Sequence, residues 1–196
     1  MYRQEVTELR AKMEQGKARD CFAVHFLQNP STGALVEEQI LFSLGSLMEA
    51  GSDTSRMVIS QIIAAAATDP RWLHILRDEL DSVCGGKAER LSELSDRDSL
   101  PYMSAVTKEA FRWRPFAEIG VPHCLTKDDG YEGYRFPKGT LFTWNAWHVS
   151  MSEDEYDNPA SFVPERWSDR EELLADPLEG HWSFGPGRSR VCRLRF

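Results

Sequence analysis

The sequence predicts a mainly α-helical fold with small β-hairpins, which places the protein in the α+β class. Three observations lead to this prediction. Apolar residues recur at helical spacing through a long run over 35–69, further helical patterns follow within 70–114, and residues 115–150 are rich in Val, Tyr, Phe and Thr between turn residues. A period of 3.6 residues indicates amphipathic helices, whereas short β-rich segments between turns indicate hairpins.

The composition fits one core or a large part of one, and it argues against nucleic acid as a partner. The 196 residues are 41% hydrophobic and 28% charged, and the net charge is −8 at pH 7. Binding to nucleic acid by counterion release needs clustered cations over a whole face. The strongly basic residues are confined to the end of the chain, where a phosphate- or nucleic-acid-binding tail built on Arg188, Arg190, Arg193 and Arg195 is a minor alternative.

The positions of the cysteines and the hydropathy of the chain exclude further classes of protein. The cysteines, at positions 21, 84, 124 and 192, form no C-x-x-C pair, which argues against structural zinc and a disulfide framework. No apolar run is long enough to cross a bilayer, and residues 1–34 begin with a polar helical pattern instead of a signal peptide. The sequence therefore predicts a soluble or peripheral chain whose first segment is helical and leads into the long helix.

The long helix is expected from about Leu35 to Thr68. Asp69 and Pro70 then serve as the N-cap and the first residue of the next helix. At about 1.5 Å per residue the helix would be on the order of 50 Å long, which is typical of a helix that crosses a large core. Its apolar positions are Ile40, Leu41, Leu44, Leu47, Met48, Val58, Ile59, Ile62 and Ile63.

The middle of this helix reads EAGSDTS, an unusual composition for a purely structural helix. Gly costs about 1 kcal/mol relative to Ala inside a helix, and Ser, Asp and Thr compete for backbone hydrogen bonds. One interpretation is a helix that opens locally, so that a small ligand approaches the backbone at Ala50 and Gly51. Asp53, beside the hydroxyl of Thr54, would then pass protons. The other interpretation is a polar patch where two helices cross closely.

Two shorter helices are expected over 70–84 and 101–114, and the second carries the stretch KEAFRWRP. Glu109 and Arg112 lie three residues apart on one face of it. Exposed pairs of this kind are common and worth about 0 to 1 kcal/mol. Downstream, FVPERW supplies Arg166 between aromatic residues. A carboxylate and two guanidinium groups can form a bidentate network, so a buried triad is the alternative to a surface pair.

The rest of the chain divides at residue 150. Within 115–150, the turn sequences DDG and PKG separate short β-rich segments, which predicts small antiparallel hairpins. Residues 151–196 form a meander of acidic and turn residues that ends in a loop with one cysteine, SFGPGRSRVCRLRF. No internal repeat or low-complexity linker interrupts the chain, so one domain or a piece of one is the simplest organisation.

Taken in order, these stretches resemble the cytochrome P450 family of haem-thiolate monooxygenases. The shared motifs are A-G-S-D-T-S, E-A-F-R followed by R-P, P-K-G-T, F-V-P-E-R-W and the closing F-G-P-G. Each motif is weak alone, and their order and spacing make the resemblance specific. RWRP, GVPH and YEGYRFPKGT look most like fungal members that act on secondary metabolites. The resemblance implies a partial cytochrome P450 domain over residues 1–196, the C-terminal part of that fold around one long central helix.

The resemblance implies a haem site built mainly from the closing loop. Cys192 looks like the axial ligand of the haem iron, and Phe184 opens the loop as part of the cofactor site. A thiolate ligand pushes electron density toward cleavage of the O–O bond. Arg190 and His123 match positions whose side chains hold the haem propionates, and both are suitable donors to a carboxylate.

The resemblance also assigns roles on the long helix and around it. Asp53 and Thr54 match the acid–alcohol pair that delivers protons during oxygen activation. Ala50 and Gly51 match positions that leave room for oxygen. The structural ion triad of the family matches Glu109, Arg112 and Arg166. The positions that line the substrate pocket match Phe116, Ala117, Glu118 and Ile119.

The implied function is haem-dependent monooxygenation, in which one atom of dioxygen is inserted into a small apolar organic substrate. Electrons would come from NADPH through a reductase. Eukaryotic members are held at the endoplasmic reticulum membrane by an N-terminal anchor. This sequence shows no anchor or signal, so by resemblance the membrane is reached only through a missing segment, and the chain itself would be soluble or of unknown location.

The closing loop also departs from the family pattern F-G-x-G-x-R-x-C-x-G. One residue more than expected separates Phe184 from Cys192, and Ser189 is the simplest insertion. The glycine after the cysteine is absent, and the chain stops at Phe196. The sequence is therefore expected to be truncated at both ends and not to form a stable, active haem enzyme by itself. The alternative function is a degenerate relative without haem, either inert or a helical interaction partner.

Overall fold

A computed structural model describes residues 2–86, 89–168 and 181–184. The α-helices are α1 (Tyr2–Glu14), α2 (Phe22–Gln28), α3 (Glu37–Thr68), α4 (Leu73–Cys84), α5 (Pro101–Trp113) and α6 (Ala146–Ser150). The strands are β1 (His123–Cys124), β2 (Asp129–Tyr131), β3 (Tyr134–Phe136) and β4 (Leu141–Phe142). Short 3₁₀ helices cover Pro30–Ala34, Pro70–Trp72, Leu94–Ser99, Pro164–Trp167 and Trp182–Phe184. The prediction of a mainly helical fold with small antiparallel strand pairs is confirmed.

The chain divides into two compact units, Met1–Arg56 and Met57–Phe196. In the first unit, α1 packs against α3 through ion pairs at the start of α3. Arg10 donates two hydrogen bonds to the carboxylate of Glu37, at 3.0 and 2.9 Å, and Arg3 reaches Glu38 at 3.3 Å. The Arg10 bonds hold the pKa of Glu37 below its ordinary value. The first unit therefore fixes α1 along the first half of α3.

Helix α3 begins two residues later than expected and ends at the expected residue. Asp69 caps the following turn, because its carboxylate accepts from the backbone N–H of Arg71 at 3.2 Å. The local opening expected at Ala50 and Gly51 is not present, since the backbone is α-helical throughout this stretch. The hydroxyl of Thr54 donates to the carbonyl of Ala50 at 3.0 Å instead of competing with the helix.

The core of the second unit lies between α4, α5 and the later half of α3. Its buried residues are Val58, Ala65, Trp72, Leu76, Val106, Ala110, Trp113 and Phe162. Helix α5 lacks a side-chain cap of its own, and Glu79 of α4 supplies one. The carboxylate of Glu79 accepts from the backbone N–H groups of Tyr102 at 2.7 Å and Met103 at 2.9 Å. A carboxylate at a helix N-terminus is stabilising because it satisfies orphan donors there.

Within the described part of the chain, the strands form two small antiparallel pairs, as predicted. Strand β2 pairs with β3, and β1 pairs with β4. The β2–β3 turn is Glu132-Gly133, where φ is +47° and +83°, the left-handed geometry that two-residue hairpins favour. The DDG sequence thus leads into β2 instead of forming that turn. Among the described residues, no helix has both the length and the hydropathy needed to span a bilayer.

Candidate functional site

The oxygen-site residues implied by the resemblance lie on consecutive turns of α3. Thr54 is half-buried, and its hydroxyl is held by the Ala50 carbonyl. Asp53 is exposed, and its carboxylate accepts from Arg56 at 2.8 Å. A Cβ placed on Gly51 would have no neighbouring atom within 4 Å. The Asp53 carboxylate and the Thr54 hydroxyl thus each have a partner on α3, Arg56 and the Ala50 carbonyl, and the helix surface at Gly51 is uncovered among the described residues.

Glu109 lies at the centre of a buried network between α5 and the segment 157–167. It accepts from the guanidinium of Arg112 at 2.8 and 2.9 Å and from Arg166 at 3.1 Å. The backbone N–H of Val163 and the indole N–H of Trp167 add bonds of 2.9 and 3.0 Å. Glu109 and Arg112 are both 0% exposed. The structure thus brings together the three charged residues that the sequence singled out.

Arg112 uses its remaining donors on the backbone of the meander. Its Nη1 donates to the carbonyls of Ser150 and Pro159, both at 2.8 Å, and its Nη2 donates to Ser161 at 3.0 Å. Together with the bonds to Glu109, every N–H of this guanidinium has an acceptor. A fully buried ion pair needs this complete satisfaction, since desolvation opposes it. The Arg112 side chain is fully buried and all its hydrogen bonds are to protein atoms, which fits a structural role.

A second tether between α5 and the 3₁₀ helix at 164–167 was missed by sequence reasoning. The hydroxyl of Tyr102 donates to Glu165 at 2.5 Å. Burial and this hydrogen bond raise the pKa of Tyr102 well above its ordinary value of 10. This bond and the Glu109 network connect the same two elements, α5 and the 3₁₀ helix at 164–167. In the sequence, only the FVPERW motif indicated that the 3₁₀ helix is fixed to α5.

The expected propionate and substrate positions lie in the segment between α5 and β1. His123 is exposed, and its Nδ1 lies 2.8 Å from the carbonyl of Val121. If Nδ1 donates this bond, a protonated His123 would present Nε2–H to an anion. The side chains of Phe116 and Ile119 are 38% and 69% exposed. The carbonyls of Ala117 and Glu118 accept from Gly120 at 2.9 Å and Trp147 at 3.0 Å.

The expected iron ligand, Cys192, and the second propionate contact, Arg190, lie outside the described residues, as do the inserted Ser189 and the other arginines of the basic tail. Phe184 ends the last 3₁₀ helix, Trp182–Phe184. Within residues 2–86, 89–168 and 181–184, no three His, Cys, Asp or Glu side chains are grouped as metal ligands would be. The haem ligation implied by the resemblance therefore stays a prediction.

His181 is a buried histidine that no sequence motif singled out. It is 1% exposed and lies among aromatic rings, with centroids 5.5 Å from Trp167, 5.3 Å from Trp182 and 6.0 Å from Phe111. Burial lowers the pKa of His181 from its ordinary value of 6.5 to about 3, and the charge of Lys108 contributes in the same direction. The imidazole is therefore neutral in the folded protein at neutral pH.

We expect the free energy of unfolding to fall as the pH drops below 6.5. The unfolded chain binds a proton at His181 that the folded chain excludes, so the stabilisation is complete above pH 6.5 and is lost as the pH falls toward 3. The slope is at most about 1.4 kcal/mol per pH unit. Urea unfolding at pH 7 and pH 5 measures it. His181→Gln and His181→Phe should flatten the difference, whereas His25→Gln, at an exposed histidine, should not. An undiminished difference in both His181 variants would contradict this origin.

The comparison with known protein families decides what the chain is. The family model described as cytochrome P450 matches residues 1–192. The chain belongs to the cytochrome P450 family. A cytochrome P450 monooxygenase of Aspergillus ruber, fogE, is 34% identical over 195 residues, which are 97% of this chain and 36% of that protein. The monooxygenase atE of Aspergillus terreus is 40% identical over 163 residues, 80% of this chain and 30% of that protein.

Solved cytochrome P450 structures share the fold. A zebrafish cytochrome P450 described as a structure with progesterone has a TM-score of 0.67 and 31% sequence identity, and the match covers 80% of this chain and 35% of that one. A zebrafish structure with abiraterone has a TM-score of 0.64 over 71% of this chain. The chain spans about a third of the length of the curated cytochrome P450 relatives, 36% and 37% for the first two.

The cytochrome P450 family implies a haem held by a cysteine thiolate. At Gly51 the described residues leave room for such a group, because a Cβ placed there would meet none of their atoms within 4 Å. Separately, in the second unit, Nδ1 of His123 lies 2.8 Å from the Val121 carbonyl, so Nε2 can donate to an anion when the ring is protonated. Asp53 and Thr54 lie on α3 two and three residues after Gly51. The carboxylate of Asp53 is paired with Arg56 at 2.8 Å.

Proposed function

We propose that this chain is the part of a haem-thiolate monooxygenase that carries the oxygen site, the structural ion triad and the cysteine loop. The reaction is the insertion of one atom of dioxygen into a small apolar organic substrate. The observation that carries the proposal is the presence of Asp53 and Thr54 next to the uncovered helix surface at Gly51 in a chain of the cytochrome P450 family. Residues 1–196 would then form one part of a single domain.

Each residue has a separate task in this proposal. Bound haem supplies the one-electron and dioxygen chemistry, which side chains cannot perform. Cys192 would hold the iron, while Arg190 and His123 would donate to the propionates and Phe184 would begin the supporting loop. Thr54 and Asp53 would hold and deliver protons, and Ala50 with Gly51 would leave room beside the helix. The residues that contact substrate would be Phe116, Ala117, Glu118 and Ile119.

The proposal of an apolar substrate rests on exposed apolar side chains between α5 and β1. Phe116 and Ile119 expose apolar surface on a segment whose backbone is fixed by hydrogen bonds from Gly120 and Trp147. Apolar side chains of this kind would line a pocket for a small apolar molecule once the rest of the protein covers them. The curated relatives are named as fungal monooxygenases, which favours electrons from NADPH through a reductase and a place at the endoplasmic reticulum membrane.

A second candidate is a relative that no longer binds haem. The observation that favours it is the extra residue, Ser189, between the F-G-P-G motif and Cys192. An additional residue changes the direction of each group after it, and metal ligation tolerates little displacement. Such a protein would keep the Glu109 network, because that network stabilises the fold without touching a haem.

The test of the oxygen site is Thr54→Ala with the chain placed in the matching third of the Aspergillus ruber relative and loaded with haem. We expect haem content to be unchanged and a larger share of the consumed dioxygen to be released as hydrogen peroxide during turnover of an apolar substrate. Removing a group that transfers protons typically changes rates by about 10²–10⁴-fold. The matched control is Thr68→Ala, because the Thr68 hydroxyl makes the same type of bond to the Ala64 carbonyl of α3, at 3.1 Å. Equal peroxide yields in wild type and Thr54→Ala would refute the assignment.

A further inference from the structure

The anchor segment, residues 181–184, leads into the F-G-P-G motif and is held against α5 and the meander. The indole N–H of Trp182 donates to the hydroxyl of Tyr156 at 3.2 Å, and Trp182 is only 7% exposed. The hydroxyl of Ser183 donates to the carbonyl of Phe111 in α5 at 3.3 Å. The start of the closing loop is therefore fixed to the fold.

His181 closes a turn within the anchor segment. Its Nδ1 accepts from the backbone N–H of Ser183 at 3.2 Å. Asn and Asp side chains form the same kind of turn, in which a side-chain atom accepts from the backbone two residues on. A ring nitrogen accepts only when it carries no hydrogen, so the imidazole must be neutral, with its hydrogen on Nε2. The shape of the anchor segment thus depends on the ionisation of His181.

The His181 ring also packs on the Glu109 network. Its centroid lies 5.5 Å from that of Trp167, and the Trp167 indole donates to Glu109 at 3.0 Å. Tyr156, which accepts from the anchor segment, lies against Arg112, whose guanidinium carbon is 5.2 Å from the centroid of the phenol ring. The anchor segment therefore packs on side chains that the buried ion pair holds in place.

Two cations of α5 oppose a positive charge on His181. Burial lowers the pKa of His181, and the charges of Lys108 and Arg112 lower it further, whereas a hydrogen bond with the backbone of Lys108 acts in the opposite direction. A proton on Nδ1 would also remove the acceptor of the Ser183 N–H. Protonation therefore opposes the packed position of the anchor segment in two ways.

The ionisable groups of the other elements that pack around His181 do not offset such a charge. Tyr156 of the meander is a neutral hydroxyl, because burial raises its pKa. In the 3₁₀ helix at 164–167, Glu165 accepts from Tyr102 and Arg166 pairs with Glu109. The described surroundings of His181 therefore favour the neutral ring.

We propose that His181 is a positioning residue for the cysteine loop, because its neutral ring holds the anchor segment against α5 and so sets where the loop begins. Cys192 follows Phe184 by eight residues and lies outside the described residues. A ligand stays in position only when the residues that support it are themselves fixed by packing and hydrogen bonds. The inference rests on the proposed function, since the position of the loop matters only if Cys192 holds iron.

The competing account is that His181 only fills space in the core of the second unit. His181→Asn and His181→Leu separate the two accounts, because these side chains have nearly the same size and only Asn offers an acceptor to the Ser183 N–H. Packing alone favours the apolar Leu, whereas the hydrogen bond favours Asn. His181→Phe keeps an aromatic ring without the acceptor. The control is His148→Leu, at an exposed histidine of α6.

Hydrogen exchange in the chain itself, without haem, measures how often the anchor segment opens. Fragments that contain residues 181–184 are compared with fragments of α5, which report the opening of the whole unit. At pH 7 we expect exchange at the anchor segment to be about threefold to tenfold faster in His181→Phe and His181→Leu than in wild type, the usual effect of losing one hydrogen bond. His181→Asn should exchange more slowly than His181→Leu, and His148→Leu should match wild type.

The pH dependence of this exchange gives a second result. After correction for the intrinsic exchange rate, wild-type protection should fall by about 20- to 30-fold from pH 7 to pH 5, because the released imidazole binds a proton that the packed one excludes. The three His181 variants should show no such change. Equal exchange in His181→Asn and His181→Leu overturns the inference, and so does a wild-type protection that does not change with pH.

The effect on the loop is measured with the chain placed in the matching third of the Aspergillus ruber relative and loaded with haem. At pH 7 the red-shifted carbon monoxide band of thiolate-ligated iron should decay about threefold to tenfold faster in His181→Phe than in wild type, and at the wild-type rate in His148→Leu. If Cys192→Ser retains that band, the proposed function fails and the inference fails with it. If Cys192→Ser abolishes the band and His181→Phe decays at the wild-type rate, only the positioning role is wrong.

Discussion

Replacing Glu109 by Ala should lower the free energy of unfolding of the second unit by about 3 to 5 kcal/mol, the typical effect of breaking a buried ion pair. The substitution leaves the guanidinium of Arg112, which is 0% exposed, without its carboxylate. Arg166, Val163 and Trp167 lose an acceptor at the same time. Most domains have a total stability of only about 5–15 kcal/mol, so the variant should lose a large share of its stability. Urea unfolding followed by circular dichroism measures the loss.

The chain offers a matched control for this prediction. Asp53 and Arg56 have the same spacing of three residues and the same closest distance, 2.8 Å, as Glu109 and Arg112, but they are exposed. Arg56→Ala should therefore change the free energy of unfolding by about 0 to 1 kcal/mol. Arg112→Ala should resemble Glu109→Ala instead. If Glu109→Ala and Arg56→Ala have similar small effects, the Glu109 network does not hold the meander to α5.

Helix bounds were predictable because their signals are local. Asp69 with Pro70 marks the end of α3, and Pro101 marks the start of α5, in both the sequence and the structure. Of the two interpretations of EAGSDTS, the local opening at Ala50 and Gly51 was wrong, because it treated the polar residues as competitors of the helix. In the structure the Thr54 hydroxyl instead bonds a carbonyl of the preceding turn, which a continuous α-helix allows.

The uncharged donors of the network could not be predicted from the sequence, because they lie far along the chain and no charge pattern marks them. Glu109 bonds the N–H of Val163, 54 residues away, and the indole of Trp167, 58 residues away. Motifs indicated which charges belong together but not the donors that complete their hydrogen bonds. The same holds for Gly45, where a Cβ would lie 2.8 Å from the Tyr2 ring: a mid-helix glycine indicates a close neighbour, and only the fold shows which ring it is.

The ligation of haem by Cys192 is the central claim of the proposed function. Of the other cysteines, Cys21 and Cys124 are exposed and Cys84 is buried, and only Cys192 follows the F-G-P-G motif. A thiolate ligand needs a shielded, electropositive setting to stay deprotonated. Replacing the sulfur of the ligand should therefore abolish the spectral signature of thiolate-bound iron completely, whereas replacing another cysteine should leave it.

The most direct measurement is the absorption spectrum of the reduced, carbon monoxide-treated, haem-loaded protein, with the chain placed in the matching third of the Aspergillus ruber relative. We predict the red-shifted band of thiolate-ligated iron, its loss in Cys192→Ser, its retention in Cys124→Ser, and a stronger band when Ser189 is deleted. A haem-loaded protein without that band, or a band that persists in Cys192→Ser, would contradict the account.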